Sequence, residues 1–236
     1  MQFYKIADIP VCYHAFYPML RTRSQKYASD SSPDAILLSV NNVEIEEIHE
    51  RTPLLDDDMR EYMLMGKKYY DILVEHDGMM LHASAVVVDG LAYLFSAPSG
   101  TGKSTHTSLY LKRFGERAYI LNDDKPAIRV VEGKAYAYGT PFSGKYDISE
   151  NQRVPIAGIA FIERSETNSI EPMPSARAVF SLLNQTSRPE SPELYMRMLR
   201  NLDAILQYVP VYTLRCNMDD AAAAVSYDGM QKGRIV

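Results

Sequence analysis

Apolar and polar residues change rhythm several times along the chain, and each change predicts an element. "FYKIADIPVCYHAF" (3–16) and "AILLSV" (35–40) are rich in β-branched and aromatic residues and predict short strands. "SDSSPD" (29–34) between them is built of turn formers and predicts a loop. Residues 1–55 therefore predict strands and turns. In "DDDMREYMLMGKKYYDILVEH" (56–76), Met63, Tyr70 and Leu73 recur at roughly helical spacing, and Asp56 to Asp58 suit the positive end of a helix. From residue 79 the texture changes. "MMLHASAVVVDGLAYLFSA" (79–97) predicts two strands joined at Asp89-Gly90, a tight-hairpin pair. "KSTHTSLYLKRFG" (103–115) predicts a helix ended by Gly115.

Beyond it, "RAYILNDDKPAIRVVEGKAYAYGTPF" (117–142) predicts three strands with a turn at Glu132-Gly133, and "VPIAGIAFIER" (154–164) a further one. "SARAVFSLLNQT" (175–186) and "SPELYMRMLRNLDAILQYV" (191–209) predict helices, the second started by Ser191 or Pro192. "PVYTLRC" (210–216) predicts a strand. "NMDDAAAAVSYDGM" (217–230) predicts a last helix with Asn217 as its cap. Strands and helices mix without strict alternation. That predicts an α/β fold with a mixed β-sheet and flanking helices. A small N-terminal strand/helix subdomain is expected over 1–75 and a larger domain over 76–236.

Composition narrows the classes. The apolar share of 46% and charged share of 23% are those of a globular protein, and 236 residues suffice for a large core without staples. A net charge of −5 argues against nucleic acid or an anionic membrane as partner. Cys12 and Cys216 are far apart and form no CxxC pattern, so the expectation is two buried thiols rather than zinc or a disulfide framework. The N-terminus is too polar for a signal peptide, and the longest apolar stretch is broken at Asp89-Gly90, so a cytoplasmic location is expected.

The chemistry concentrates between residues 82 and 124. Ala97-Pro98-Ser99-Gly100-Thr101-Gly102-Lys103-Ser104 fits the Walker A pattern with alanine for its first glycine. Gly100 and Gly102 permit left-handed backbone, so successive N–H groups can point at phosphate oxygens. The following helix adds its positive end. Lys103 suits the outer phosphates, Ser104 suits Mg²⁺, and Thr105 continues the helix. Asp123 and Asp124 follow Lys103 by 20 and 21 residues, enough for a helix, a turn and a strand to return beside the loop. One acid could hold Mg²⁺ while the other takes a proton from an attacking hydroxyl; a plain polar turn is the alternative. His82 lies in an apolar strand that a hairpin would bring beside the loop. Lys145, in "GTPFSGKYD" (139–147), is a candidate contact to a phosphate or substrate carboxylate, with a plain surface loop as the alternative; Arg215 could neutralise transferred phosphate or pair with a nearby acid. His106, just inside the helix, is expected to be exposed. The 17 tyrosines are expected to pack rather than react.

"LHASAVVVDGLAYLFSAPSGTGKST" and "LNDD" together resemble the catalytic domain of HPr kinase/phosphorylase, whose nucleotide-binding fold is shared with phosphoenolpyruvate carboxykinase. The likeness covers roughly residues 78–130. "AYGTPFSGK" and "VPVYTLRCNMDDAAAAV" look like a group of small bacterial HPr-kinase-like proteins, some of which accompany peptide-modification systems. The resemblance implies that Asp123 is the general base, that Asp124 and Ser104 surround Mg²⁺, and that His82 is the active-site histidine. It implies that Lys103 and the backbone of residues 98–105 cradle ATP. Thr105 stands where the family usually has Glu, and the family's C-terminal signature is missing. The expected activity is ATP- and Mg²⁺-dependent phosphotransfer to a hydroxyl of a peptide, protein or small molecule, in a possible homo-oligomer. The alternative is a non-catalytic nucleotide-binding accessory protein. A GTPase-like reading lacks its Asn-Lys-x-Asp motif.

Overall fold

The described residues, 1–233 of a computed structural model, begin with a hairpin. Strands β1 (Gln2–Ile6) and β2 (Ile9–Tyr13) pair antiparallel across Ala7-Asp8, whose φ angles of 48° and 63° are those of a type I′ turn. Helix α1 (Pro18–Ser24) follows, then β3 (Ile36–Leu37), which pairs parallel with β2, then α2 (Asn42–Arg51). Two helices thus stand in a region expected to hold strands and turns. Their signal lies in the caps rather than in apolar periodicity. Proline opens α1, and a capping box opens α2, with Glu44 N–H donating to Asn41 Oδ1 at 3.0 Å and Asn41 N–H to Glu44 Oε2 at 2.9 Å.

Helix α3 (Asp57–Glu75) starts where Asp56 accepts from Met59 N–H at 2.9 Å. Its buried face is Tyr62, Met65, Tyr69, Tyr70 and Leu73; Met63, expected on that face, is 42% exposed. Buried Glu61 accepts from Phe16 N–H at 2.7 Å and Tyr17 N–H at 3.0 Å, and Asp58 accepts from Met19 N–H at 2.9 Å. The carboxylates of α3 thereby satisfy the orphan donors at the start of α1. One apolar cluster joins β1, β2 and α3 to Met80, Ala127, Tyr138 and Phe142.

The remaining elements are β4 (Gly78–Met80), β5 (Ala83–Val88), β6 (Leu91–Ser96), α4 (Lys103–Phe114), β7 (Ala118–Asn122), β8 (Ala127–Val131) and β9 (Lys134–Tyr138). Then come β10 (Arg153–Arg164), β11 (Ser169–Pro172), α5 (Ser175–Asn184), α6 (Pro192–Tyr208), β12 (Val211–Cys216) and α7 (Ala221–Lys232). The fold is mixed α/β. Among the described residues the large sheet has nine strands, in the order β4-β8-β9-β10-β6-β5-β7, with β12 also on β10 and β11 on β12. Hairpins at Asp89-Gly90 and Glu132-Gly133 have the left-handed φ angles their sequences require. The antiparallel strand β11 was not foreseen. Asn217 is not the cap of α7: its Oδ1 accepts from Asp219 N–H at 3.0 Å, closing a turn ahead of the helix.

Strand β10 joins two halves of this sheet. Its first residues pair antiparallel with β9, and its later ones parallel with β6 and β12. The chain therefore crosses from one half to the other between β4 and β5, and again between β7 and β8. The crossings are bonded together, Leu81 N–H to Pro126 O at 3.2 Å and Ala83 N–H to Asp124 O at 2.9 Å. Strand alternation sends Val86, Tyr93 and Phe95 to the α4 and α7 face and Ala85, Val87 and Leu94 to the α5 and α6 face. No helix among the described residues is long and apolar enough to cross a membrane.

Candidate active site

The paired crossings bring His82 to the acidic turn. His82 Nε2 lies 3.3 Å from Asp124 Oδ1, and its Nδ1 lies 2.8 Å from Gln185 Oε1. The His82 N–H also donates to Gln185 O at 2.7 Å, so the ring is fixed from behind. The Lys125 ammonium pairs with the other oxygen of Asp124. Fully buried Asn122 shapes the turn. Its Oδ1 accepts from Asp124 N–H at 3.0 Å and Lys125 N–H at 2.7 Å, while its Nδ2 donates to Thr140 O at 3.0 Å.

The two acids are shifted in opposite directions. Burial pushes Asp124 up, but His82 and Lys125 outweigh it and bring its pKa down to about 2. Asp123 is raised: burial pushes it up, the Gly144 N–H pulls it down, and the Asp124 charge pushes it up again. That N–H donates to Asp123 Oδ1 at 2.6 Å. A Cβ on Gly144 would lie 2.9 Å from Asp123 Oδ2, and one on Gly139 only 1.9 Å from Glu150 O, so two glycines let this loop close over the acid. Residues from the N-terminal region hold the loop. Arg23 Nη1 and the Tyr62 hydroxyl each donate to Ser143 O at 2.8 Å, and Lys26 Nζ donates to Ser149 O at 2.8 Å.

The glycine loop lies between β6 and α4. Gly100 and Gly102 have φ of 75° and 125°, and Thr101 N–H donates to Pro98 O at 3.2 Å. Pro98, Ser99, Gly100, Ser104 and Thr105 are exposed. Lys103 is 8% exposed, and its ammonium donates to Ala97 O at 2.9 Å. Burial lowers its pKa, while the nearby Asp124 charge works to keep it protonated. Arg164, at the end of β10, braces the loop through Gly100 O at 2.6 Å and Thr101 O at 3.3 Å. The first turn of α4 has no acidic side chain, so its unpaired N–H groups are free to attract an anion. A cavity of about 430 Å³ opens beside the loop, walled by Thr105, Leu109, Ile162 and Met218.

Not every expected residue joins this centre. Arg215 faces the opposite side of the sheet from Arg164 and is bound to Glu163, Oε2 3.3 Å away, and to Glu171, Oε1 2.7 Å away. Lys145 is exposed, its ammonium 5.8 Å from the Tyr146 ring centre, but it adjoins Gly144. His106 is buried, not exposed. It packs on Phe95 and Tyr110 with Nε2 3.0 Å from Ser226 Oγ, and burial lowers its pKa to about 4. Cys216 is buried, whereas Cys12 is half-buried. Lys125, Gly144, Arg164 and Gln185 were missed. Gln185 lies 103 positions from His82, and no local pattern announces it.

Among the described residues, no three His, Cys, Asp or Glu side chains form a group that could hold a metal alone. Mg²⁺ carried by nucleotide phosphates needs only one or two carboxylates, and ionised Asp124 with the Ser104 hydroxyl fits that donor set.

No protein-family profile matches the chain, and no curated protein does. Among solved structures, the chain is similar to the Hpr(Ser) kinase/phosphatase from Coxiella burnetii, with a TM-score of 0.35 and 13% identity. That alignment covers 65% of this chain and 97% of the other. A likeness of this size is silent on chemistry, which rests on the residues above.

Proposed function

We propose that the chain is an ATP-binding, Mg²⁺-dependent phosphotransferase that acts on a hydroxyl, built on an HPr-kinase-like, phosphoenolpyruvate-carboxykinase-like domain over 76–236. The observation that carries the reading is the split acidic pair: two adjacent carboxylates, one driven down to about 2 and the other raised, close to a buried lysine. Such a split separates an electrostatic role from a proton-accepting one.

The amides of residues 99–105 and the Lys103 ammonium hold the β- and γ-phosphates, Lys103 leaving Ala97 O to do so. Ser104 and Asp124 would hold Mg²⁺, which offsets charge on the transferring phosphoryl group. Asp123 accepts the hydroxyl proton as the acceptor oxygen bonds to the γ-phosphorus, and the bond from that phosphorus to the bridging oxygen breaks to release ADP. His82 holds Asp124 in place and ionised. The region 1–75 acts as a subdomain that steadies the Asp123 loop through Arg23, Lys26 and Tyr62.

The Asp124–Lys125 ion pair favours a second reading, a nucleotide-binding accessory protein without turnover, because it occupies the metal-binding carboxylate. Incubation with γ-labelled MgATP and serine-containing peptides separates the two. Label on a serine hydroxyl is the expected result; tight MgATP binding with no labelled product selects the accessory role.

A further inference from the structure

A second cavity begins where the acidic turn ends. It measures about 610 Å³, within the range of about 300–1,000 Å³ that takes small ligands. Its floor is apolar and largely aromatic: Tyr62, Tyr70, Met80 and Phe142 are all at least nine-tenths buried. The Phe142 ring centre lies 5.6 Å from that of Tyr62 in a tilted contact and 5.5 Å from that of Tyr70 in an edge contact, and the Tyr62 hydroxyl donates to Ser143 O. Met59 and exposed Met63 of α3 form one rim. Residues 184–187, Asn-Gln-Thr-Ser, bring amides and hydroxyls to the lining. The inner end is made by His82 and Lys125, the two partners of Asp124.

We infer that this cleft seats the phosphate acceptor, and that the acceptor is a short extended peptide segment with bulky apolar residues beside its serine or threonine. The inference rests on the phosphotransferase reading for the identity of the hydroxyl. A lining that combines apolar rings and thioethers with amides and hydroxyls suits an extended peptide, which offers both apolar side chains and backbone amides. Both lysines of the lining are already answered, Lys67 by Glu190 and Lys125 by Asp124, so the cleft presents no free ammonium to an acidic segment. Among the described residues no carboxylate lines it, so it offers nothing to a basic one. Flexible thioethers at the rim suit bulky partners of varied shape.

The test uses the full chain with methyl-labelled methionines and three acetylated pentapeptide amides centred on serine. The serine is flanked by phenylalanine and leucine, by two alanines, or by two lysines. The first peptide is expected to shift the Met63 and Met80 methyl signals, leave those of Met198 and Met230 unmoved, and bind at least about tenfold tighter than the others. Met63→Glu, at an exposed position, is expected to remove that advantage. Equal binding of the three peptides, shifts confined to Met198 and Met230, or no shift at all overturns the assignment. Calorimetry with MgATP on the same sample keeps the two readings apart. Nucleotide binding without peptide preference sinks the cleft alone, and absence of nucleotide binding sinks the phosphotransferase.

Discussion

The glycine loop and the acidic turn meet near Lys103, yet they are built in opposite ways. The loop is local: two left-handed glycines, a neighbouring proline carbonyl and the start of α4 define it, with Arg164 as a distant brace. The turn is collective. Asp123 answers to Gly144, Asp124 to His82, and these are fixed in turn by Gln185, Arg23, Lys26 and Tyr62 from other parts of the chain. Binding a phosphate can be encoded in eight consecutive residues. Shifting two neighbouring carboxylates in opposite directions cannot, because it needs burial to dominate at one and cationic partners to dominate at the other.

This contrast predicts separable defects. The largest belongs to the turn: Asp123→Asn is expected to lower phosphoryl transfer about 10²- to 10⁴-fold while leaving MgATP affinity within about twofold. Steady-state transfer and calorimetry check it, and an Asn variant that transfers phosphate at the parent rate removes the base assignment. Lys103→Ala strikes the loop instead and is expected to weaken MgATP binding about 100-fold.

Acid stability sharpens the contrast. His106, behind the loop, has a folded pKa of about 4 against an ordinary 6.5. Between those values the unfolded chain binds a proton that the folded chain refuses, so stability falls as pH drops from 6.5 toward 4, by up to about 3 kcal/mol. His106→Gln should flatten urea-unfolding free energies over that window. Asp124 behaves differently: its depressed pKa keeps its contribution intact until pH falls below its ordinary 3.8 toward about 2. A smaller effect is expected for Gly144→Ala, whose Cβ displaces the Asp123 carboxylate. Turnover should fall about tenfold with MgATP affinity unchanged.

Legibility in the sequence followed the same division. The loop, the hairpins at Asp89-Gly90 and Glu132-Gly133, and the long helix α3 were all readable, because their signals lie within a few residues of one another. Asp123 and Asp124 were readable as candidates, but not the opposite directions of their shifts, which depend on the burial of Asp123 and on His82 and Lys125 beside Asp124. Helices α1 and α2 escaped notice because their caps, Pro18 and the Asn41–Glu44 pair, mark runs too short for a clear apolar period. His106 escaped because burial is set by Phe95 and Ser226, from β6 and α7. For Arg215 the salt-bridge alternative was readable, but not its partner, because Glu163 is a sheet neighbour rather than a sequence neighbour.

The shared cluster of β1, β2 and α3 with Ala127, Tyr138 and Phe142 has a consequence for biosynthesis. The first 75 residues leave the ribosome well before the side chains that close their hydrophobic interior. A nascent chain must shelter Tyr69, Tyr70 and Met80 until Phe142 emerges. Premature termination anywhere in that interval leaves an aromatic surface uncovered, a natural handle for chaperones and for degradation.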